Sequence, residues 1–196
     1  MTAATEFTLS EIALLLREPQ HRLIHLCEKG AVIPDVEDAR GRGASRRFSR
    51  RNVFEFALAL KLRQMMLPVA VAAAVVRVLR AFGRHVASNI GSFRLPDGLR
   101  GRDAPDLRVI LSDGRFLYFS LGRAAAVPKL FGGVDIRTIT SAGKGKIAPA
   151  IREISHSRAA RRPRASGPGD FGTPEGSKHT RVEVSVTRIV QGLPLD

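Results

Sequence analysis

Between Gln20 and Arg51 the chain concentrates side chains that can grip an anion or read a hydrogen-bonding edge. Gln20, His21, Arg22 and His25 place donors and acceptors within about two helical turns. Arg40, Arg42, Arg46, Arg47, Arg50 and Arg51 follow with no acid among them. Arginine's planar fork matches phosphate oxygens two at a time, and glutamine and arginine pair with base edges. The chemistry that fits is binding of nucleic acid, each neutralised phosphate adding a salt-dependent increment of affinity. A charge run alone is more often plain solvated surface, so the reading depends on the elements that carry these residues.

Catalytic chemistry finds little support. Gly143-Lys144-Gly145-Lys146 lacks the earlier glycine and the following Ser or Thr of a phosphate-binding loop. Ser155-His156-Ser157 are neighbours on a Pro/Gly-rich stretch, where nothing holds a nucleophile against its base. His21 and His25 have the i, i+4 spacing of a helical metal pair with Cys27 near them, yet no third ligand is well placed, and a groove-facing role explains both more simply. The expectation is a non-enzyme with no catalytic residue, no metal and no cofactor. Cys27 is the single cysteine, which excludes an intrachain disulfide, and it falls on an inward helix face.

The positioning elements begin at Thr8-x-x-Glu11, the spacing of a capping box, ahead of a stripe formed by Leu9, Ile12, Ala13 and Leu16. Proline disfavours helical geometry at Glu18 and suits the first position of a second helix, Pro19 to Lys29, which Gly30 closes. Leu23, Leu26 and Cys27 form its inner face, and His21, Arg22, His25 and Lys29 point outward. Two short helices with a polar exposed face on the second are the geometry that fits a major groove. The Gly/Arg stretch around Arg40 to Arg47 then reads as a wing suited to phosphates or a minor groove. Ser49 caps a third helix reaching Leu67, with Phe48 as a hydrophobic staple on Val53. Pro68 separates it from an Ala/Val-rich fourth helix, Val69 to Phe82, that Gly83 terminates.

In the order and spacing of these parts the chain resembles the N-terminal DNA-binding domain of the MerR family of bacterial transcription regulators. The matching pieces are Thr8 to Leu16, then Glu28-Lys29-Gly30-Ala31-Val32-Ile33-Pro34, then Arg46-Arg47-Phe48-Ser49, together covering roughly the first 82 residues. The resemblance implies a wing arginine at Arg46 in contact with phosphate, and a mechanism that bends and untwists an overlong promoter spacer. Phe48 stands where the family usually has a tyrosine, and Ile24-His25-Leu26 replaces its Arg-Tyr-Tyr run. Base and phosphate contacts are therefore assigned to Gln20, His21, Arg22, His25, Arg40, Arg42, Arg46, Arg47 and Arg50.

The second half changes character. Leu107 to Ser112 and Arg115 to Ser120 flank Asp113-Gly114, a strong hairpin signal. Further strands are expected at Val134 to Thr140 and at Arg181 to Val190, where Val182, Val184 and Val186 alternate with polar residues. Ala124 to Leu130 and Ala148 to Ile154 read as short helices, each interrupted by proline. Ser155 to Thr180, rich in Ser, Pro, Gly and Arg, reads as a disordered basic insertion, either an arm for phosphates or a spacer.

The expected fold class is α+β: a four-helix winged helix-turn-helix domain over residues 1–90, then a small antiparallel β-rich domain from residues 91–154 and 181–192. Gly83, Gly91, Pro96, Gly98 and Gly101 leave no room for the family's long dimerising helix, so homodimerisation is assigned to the C-terminal half. The chain carries 32 Lys+Arg against 18 Asp+Glu, a net charge of +14, as a nucleic-acid binder would. No apolar run approaches the roughly 20 residues of a membrane span, and no signal peptide opens the chain. The expected function is therefore sequence-specific transcriptional regulation on promoter or operator duplex DNA, in the cytoplasm at the nucleoid, with RNA polymerase as a partner. The runner-up is an architectural or excisionase-like adaptor whose β-rich half recruits a protein.

Overall fold

The computed structural model describes residues 6–36, 46–89, 93–123, 127–141, 151–154 and 180–195. The fold is α+β, helices first and an antiparallel sheet after.

Helix α1 spans Leu9–Leu16 and starts as the capping box requires: the Glu11 backbone N–H donates to the Thr8 hydroxyl at 3.3 Å, and the Thr8 N–H donates to the Glu11 carboxylate at 2.7 Å. It ends at Arg17, whose φ of 53° takes the left-handed conformation. Helix α2, Gln20–Glu28, begins one residue later than expected. Pro19 stands before the helix in extended backbone rather than within its first turn, its carbonyl accepting from the Arg22 N–H at 3.0 Å. Gly30, at φ +67°, reverses the chain, and the Ala31 N–H reaches back to the Leu26 carbonyl at 2.8 Å.

Helix α3, Arg50–Gln64, is capped by Ser49, with Asn52 completing a second capping box. It stops short of Leu67, because Met66 at φ 63° and Pro68 turn the chain into helix α4, Val69–Asn89. Gly83 does not end this helix. The Leu95 side chain packs so close that a Cβ on Gly83 would lie 3.1 Å from its Cδ1, so glycine here serves a close approach within a helix. Phe48 and Val53 are both buried as the staple reading requires, and the Phe48 ring also meets Phe56 edge-on at 5.4 Å.

After a 3-10 turn at Asp97–Leu99 come strands β1 (Asp106–Ser112), β2 (Phe116–Gly122) and β3 (Lys129–Asp135), helix α5 (Ile136–Ser141), strands β4 (Glu153–Ile154) and β5 (Arg181–Ser185), and helix α6 (Val186–Gln191). The sheet order is β4-β3-β2-β1-β5, all neighbours antiparallel. Asp113 and Gly114 make the hairpin turn at φ 55° and 59°, with Arg115 inside the loop because Ser112 pairs with Phe116.

Several expected boundaries move. The strand placed at Val134 to Thr140 ends at Asp135, whose carboxylate accepts from the Arg137 N–H at 3.0 Å and starts α5. The helix placed at Ala124 to Leu130 gives way to β3 from Lys129 on, and the one placed at Ala148 to Ile154 gives way to β4 over its described C-terminal end. The strand placed at Arg181 to Val190 stops at Ser185, whose hydroxyl accepts from the Arg188 N–H at 3.2 Å and caps α6. Gly132 allows a bulge in β3, since at φ +119° a Cβ would sit 2.6 Å from the Leu117 carbonyl oxygen. The basic insertion assigned to 155–180 lies outside the described residues except for Thr180.

Buried side chains of the helices and the sheet form one continuous cluster. Leu107, Val109 and Leu111 on β1 oppose Leu121, Phe119 and Leu117 on β2, all on the sheet face turned to the core. Phe82 of α4 stacks on Phe119 at 4.6 Å and meets Phe131 edge-on at 5.3 Å. That contact ties α4 to the sheet.

Candidate nucleic-acid interface

Helix α2 buries Leu23 and Leu26 and leaves Gln20, His21, Arg22 and His25 exposed, as its amphipathic spacing requires. Arg22 pairs with Glu18 at 2.9 Å, and Gln20 accepts weakly from the Ser10 hydroxyl at 3.5 Å. His21, Arg22 and His25 share a groove of about 480 Å³ with Arg63, Gln64 and Met66 from the end of α3 and the turn after it. The second helix thus offers a mixed set of donors and acceptors with a further cation beside it. Among the described residues no group of three histidine, cysteine or acidic side chains could hold a metal ion. Cys27 is half-buried against the core.

The arginines divide. Arg46 lines a second groove of about 630 Å³, with Lys29 after α2, Arg77 of α4 and Thr140 of α5. Arg46 therefore shares its groove with Cys27 and Glu28 at the end of α2 and not with His21, Arg22 and His25. Arg47 lies close enough to Glu11 to help hold its carboxyl below the ordinary value, an effect led by the Thr8 hydrogen bonds. Arg46, Arg47 and Arg50 are half-buried, whereas Arg40 and Arg42 lie outside the described residues.

What holds the two ends of that arginine-bearing segment is a polar network the sequence reading missed. Asp35 accepts from the Ser49 N–H at 3.2 Å and from the Ser49 hydroxyl at 2.7 Å, joining entry to exit. Phe7 and Phe48 exchange backbone hydrogen bonds at 2.8 and 3.0 Å, an antiparallel bridge beside the same junction. Beneath it Asn52, fully buried, accepts from the Asp35 N–H at 3.1 Å and donates to the Ile33 carbonyl at 2.9 Å and to Glu55 at 3.0 Å. Glu55 is 2% exposed and receives both Nε and Nη2 of Arg80, and Nη2 also donates to the Ile33 carbonyl at 3.1 Å.

Burial pushes the Glu55 carboxyl above its ordinary value, against the hydrogen bonds from Arg80 and Asn52 that favour the charged form. A buried, paired and hydrogen-bonded charge of this kind fixes geometry more than it adds stability. Its sequence signal was an acid inside the apolar run Val53-Phe54-Glu55-Phe56, where a solvated glutamate has no place. No known protein family, curated protein or solved structure matches this chain, so the geometry of these residues carries the functional reading.

Proposed function

We propose that the chain is a sequence-specific DNA-binding transcription regulator of the MerR-like type, with α2 as the helix that enters the major groove. The observation that carries this reading is the exposed quartet Gln20, His21, Arg22 and His25 on a short helix packed against α1. Gln20 and Arg22 suit adenine and guanine edges, and the arginines from Arg40 to Arg50 suit flanking phosphates. The network under Ile33 to Asp35 supports the reading because it fixes the stems of the arginine-bearing segment relative to α3 and α4. The net charge of +14 adds a sequence-independent attraction.

Homodimerisation through the C-terminal half and contact with RNA polymerase belong to the same proposal. Among the described strands, β4 and β5 are the outer ones and offer edges for such pairing. One observation favours an architectural adaptor instead: no long helix follows α4 among the described residues to serve as a dimerising coil.

The two readings separate in a footprinting experiment on the DNA beside the gene. A regulator protects one inverted repeat, and Arg46→Ala weakens the protection. Uniform binding to every fragment, unchanged by Arg46→Ala, overturns the regulator.

A further inference from the structure

Away from the α2 face, helices α3 and α4 and the segment that follows α4 enclose a cleft of about 470 Å³, a volume typical of small-molecule sites. Four arginines line it: Arg51 from α3, Arg80 and Arg84 from α4, and Arg94 from the following segment. Glu55 is the one carboxylate among its lining residues, and Arg80 already neutralises it. Arg51, Arg84 and Arg94 are exposed and make no ion pair or side-chain hydrogen bond among the described residues.

The floor is of opposite character. Phe54, Val76 and Leu79 are buried beneath it, and Leu95 closes one side by packing on the bare backbone of Gly83. Like charges gathered around a partly apolar recess repel one another and gain most from an anion that enters between them. A purely solvated patch needs no such floor.

We infer that this cleft binds a small organic anion, a carboxylate or phosphate ester on an apolar body, with Arg84 and Arg94 gripping the charged end and Leu79 and Leu95 receiving the rest. The inference goes beyond DNA binding and does not depend on it. Arg80 gives the cleft a link to the rest of the molecule, because its Nη2 also holds the Ile33 carbonyl at the stem of the arginine-bearing segment.

The test uses the full chain without DNA and three probes: 1-naphthyl phosphate, 1-naphthoate and neutral 1-naphthol, titrated by calorimetry. The expected result is saturable binding of one equivalent of either anion and affinity for 1-naphthol lower by about tenfold or more. Comparison of the two anions tells whether phosphate or carboxylate is preferred. The double variant Arg84→Ala/Arg94→Ala changes only exposed positions and should weaken both anions by about tenfold or more. Ala87→Trp keeps every charge and fills the cleft, and should also abolish binding, which separates a cleft from general attraction to a basic surface. Absence of anion binding to the unaltered chain, or binding by either variant as tight as that of the unaltered chain, overturns the inference. A double variant that instead loses duplex DNA affinity while small anions never bind assigns these arginines to a nucleic-acid surface and overturns it as well.

Discussion

Two polar clusters lie within the helical half, and they differ in nearly every respect. The face of α2 carries Gln20, His21, Arg22 and His25 exposed to solvent, tied among the described residues by the Arg22 to Glu18 pair and a weak bond from Ser10 to Gln20. In the network of Asn52, Glu55 and Arg80 the amide and the carboxylate are buried, the guanidinium is only partly covered, and the groups bond to one another and to the backbone of Ile33 and Asp35. The first cluster costs little to maintain and is available to a ligand. The second would be costly if broken, because a buried group that loses its partner keeps its desolvation penalty. Under the proposed function the two divide the labour: side chains in α2 would recognise, and the buried network holds the stems of the arginine-bearing segment in place.

Removing one member of the buried pair should give the largest effect. Arg80→Ala leaves the buried Glu55 carboxylate without its counter-ion, with only the Asn52 amide still donating to it, and should cost about 3 kcal/mol in urea unfolding. A loss indistinguishable from that of an exposed arginine such as Arg63 would erase the distinction between the clusters.

The opposite signature is expected of the triple variant Gln20→Ala/Arg22→Ala/His25→Ala. Stability should stay within about 0.5 kcal/mol of the unaltered chain, while discrimination between preferred and random duplexes falls by about 2 kcal/mol. A fall in affinity equal on all sequences would make α2 a phosphate binder only.

Ser49→Ala tests the junction between them. It removes a helix cap and the hydroxyl bond to Asp35, and should cost about 1 kcal/mol of stability. If the stems position the segment, DNA affinity should fall as well, which equilibrium binding at fixed salt would read.

The smallest effect is a pH slope. Burial raises the folded-state value of Glu55, so the folded chain holds its proton to higher pH than the unfolded chain does. Its contribution to stability is therefore present in acid below the ordinary glutamate value of 4.5 and is lost as pH rises through the raised value. The slope should steepen in Arg80→Ala and vanish in Glu55→Gln. Unfolding followed across that pH range checks both, and a slope of opposite sign would show that the pairing with Arg80 outweighs burial.

Features set by neighbours in the chain were legible in the sequence. Thr8 with Glu11, Ser49 before α3, Gly30 after α2 and Asp113-Gly114 each act within a few residues, and each stands where the spacing put it. So does the outward face of α2, because helical period alone decides it. Part of what failed was decided at a distance. Gly83 lies inside α4 with Leu95 packed against it, and the Glu55 and Ile33 partners of Arg80 lie dozens of residues away, so neither feature shows in the local spacing. The strand ends at Asp135 and Ser185 were lost for a local reason, since both residues cap a following helix and the apolar pattern runs on through it. The wing reading at Arg40 and Arg42 lies outside the described residues.

The central claim is that α2 reads DNA sequence. Selection of duplexes from a random library by the full chain addresses it most directly, with the Gln20→Ala/Arg22→Ala/His25→Ala variant run in parallel. The account predicts that the unaltered chain enriches a defined motif and that the variant, folded and still retained by DNA at low salt, enriches none. Enrichment of the same motif by both proteins, or of no motif by either, would contradict it.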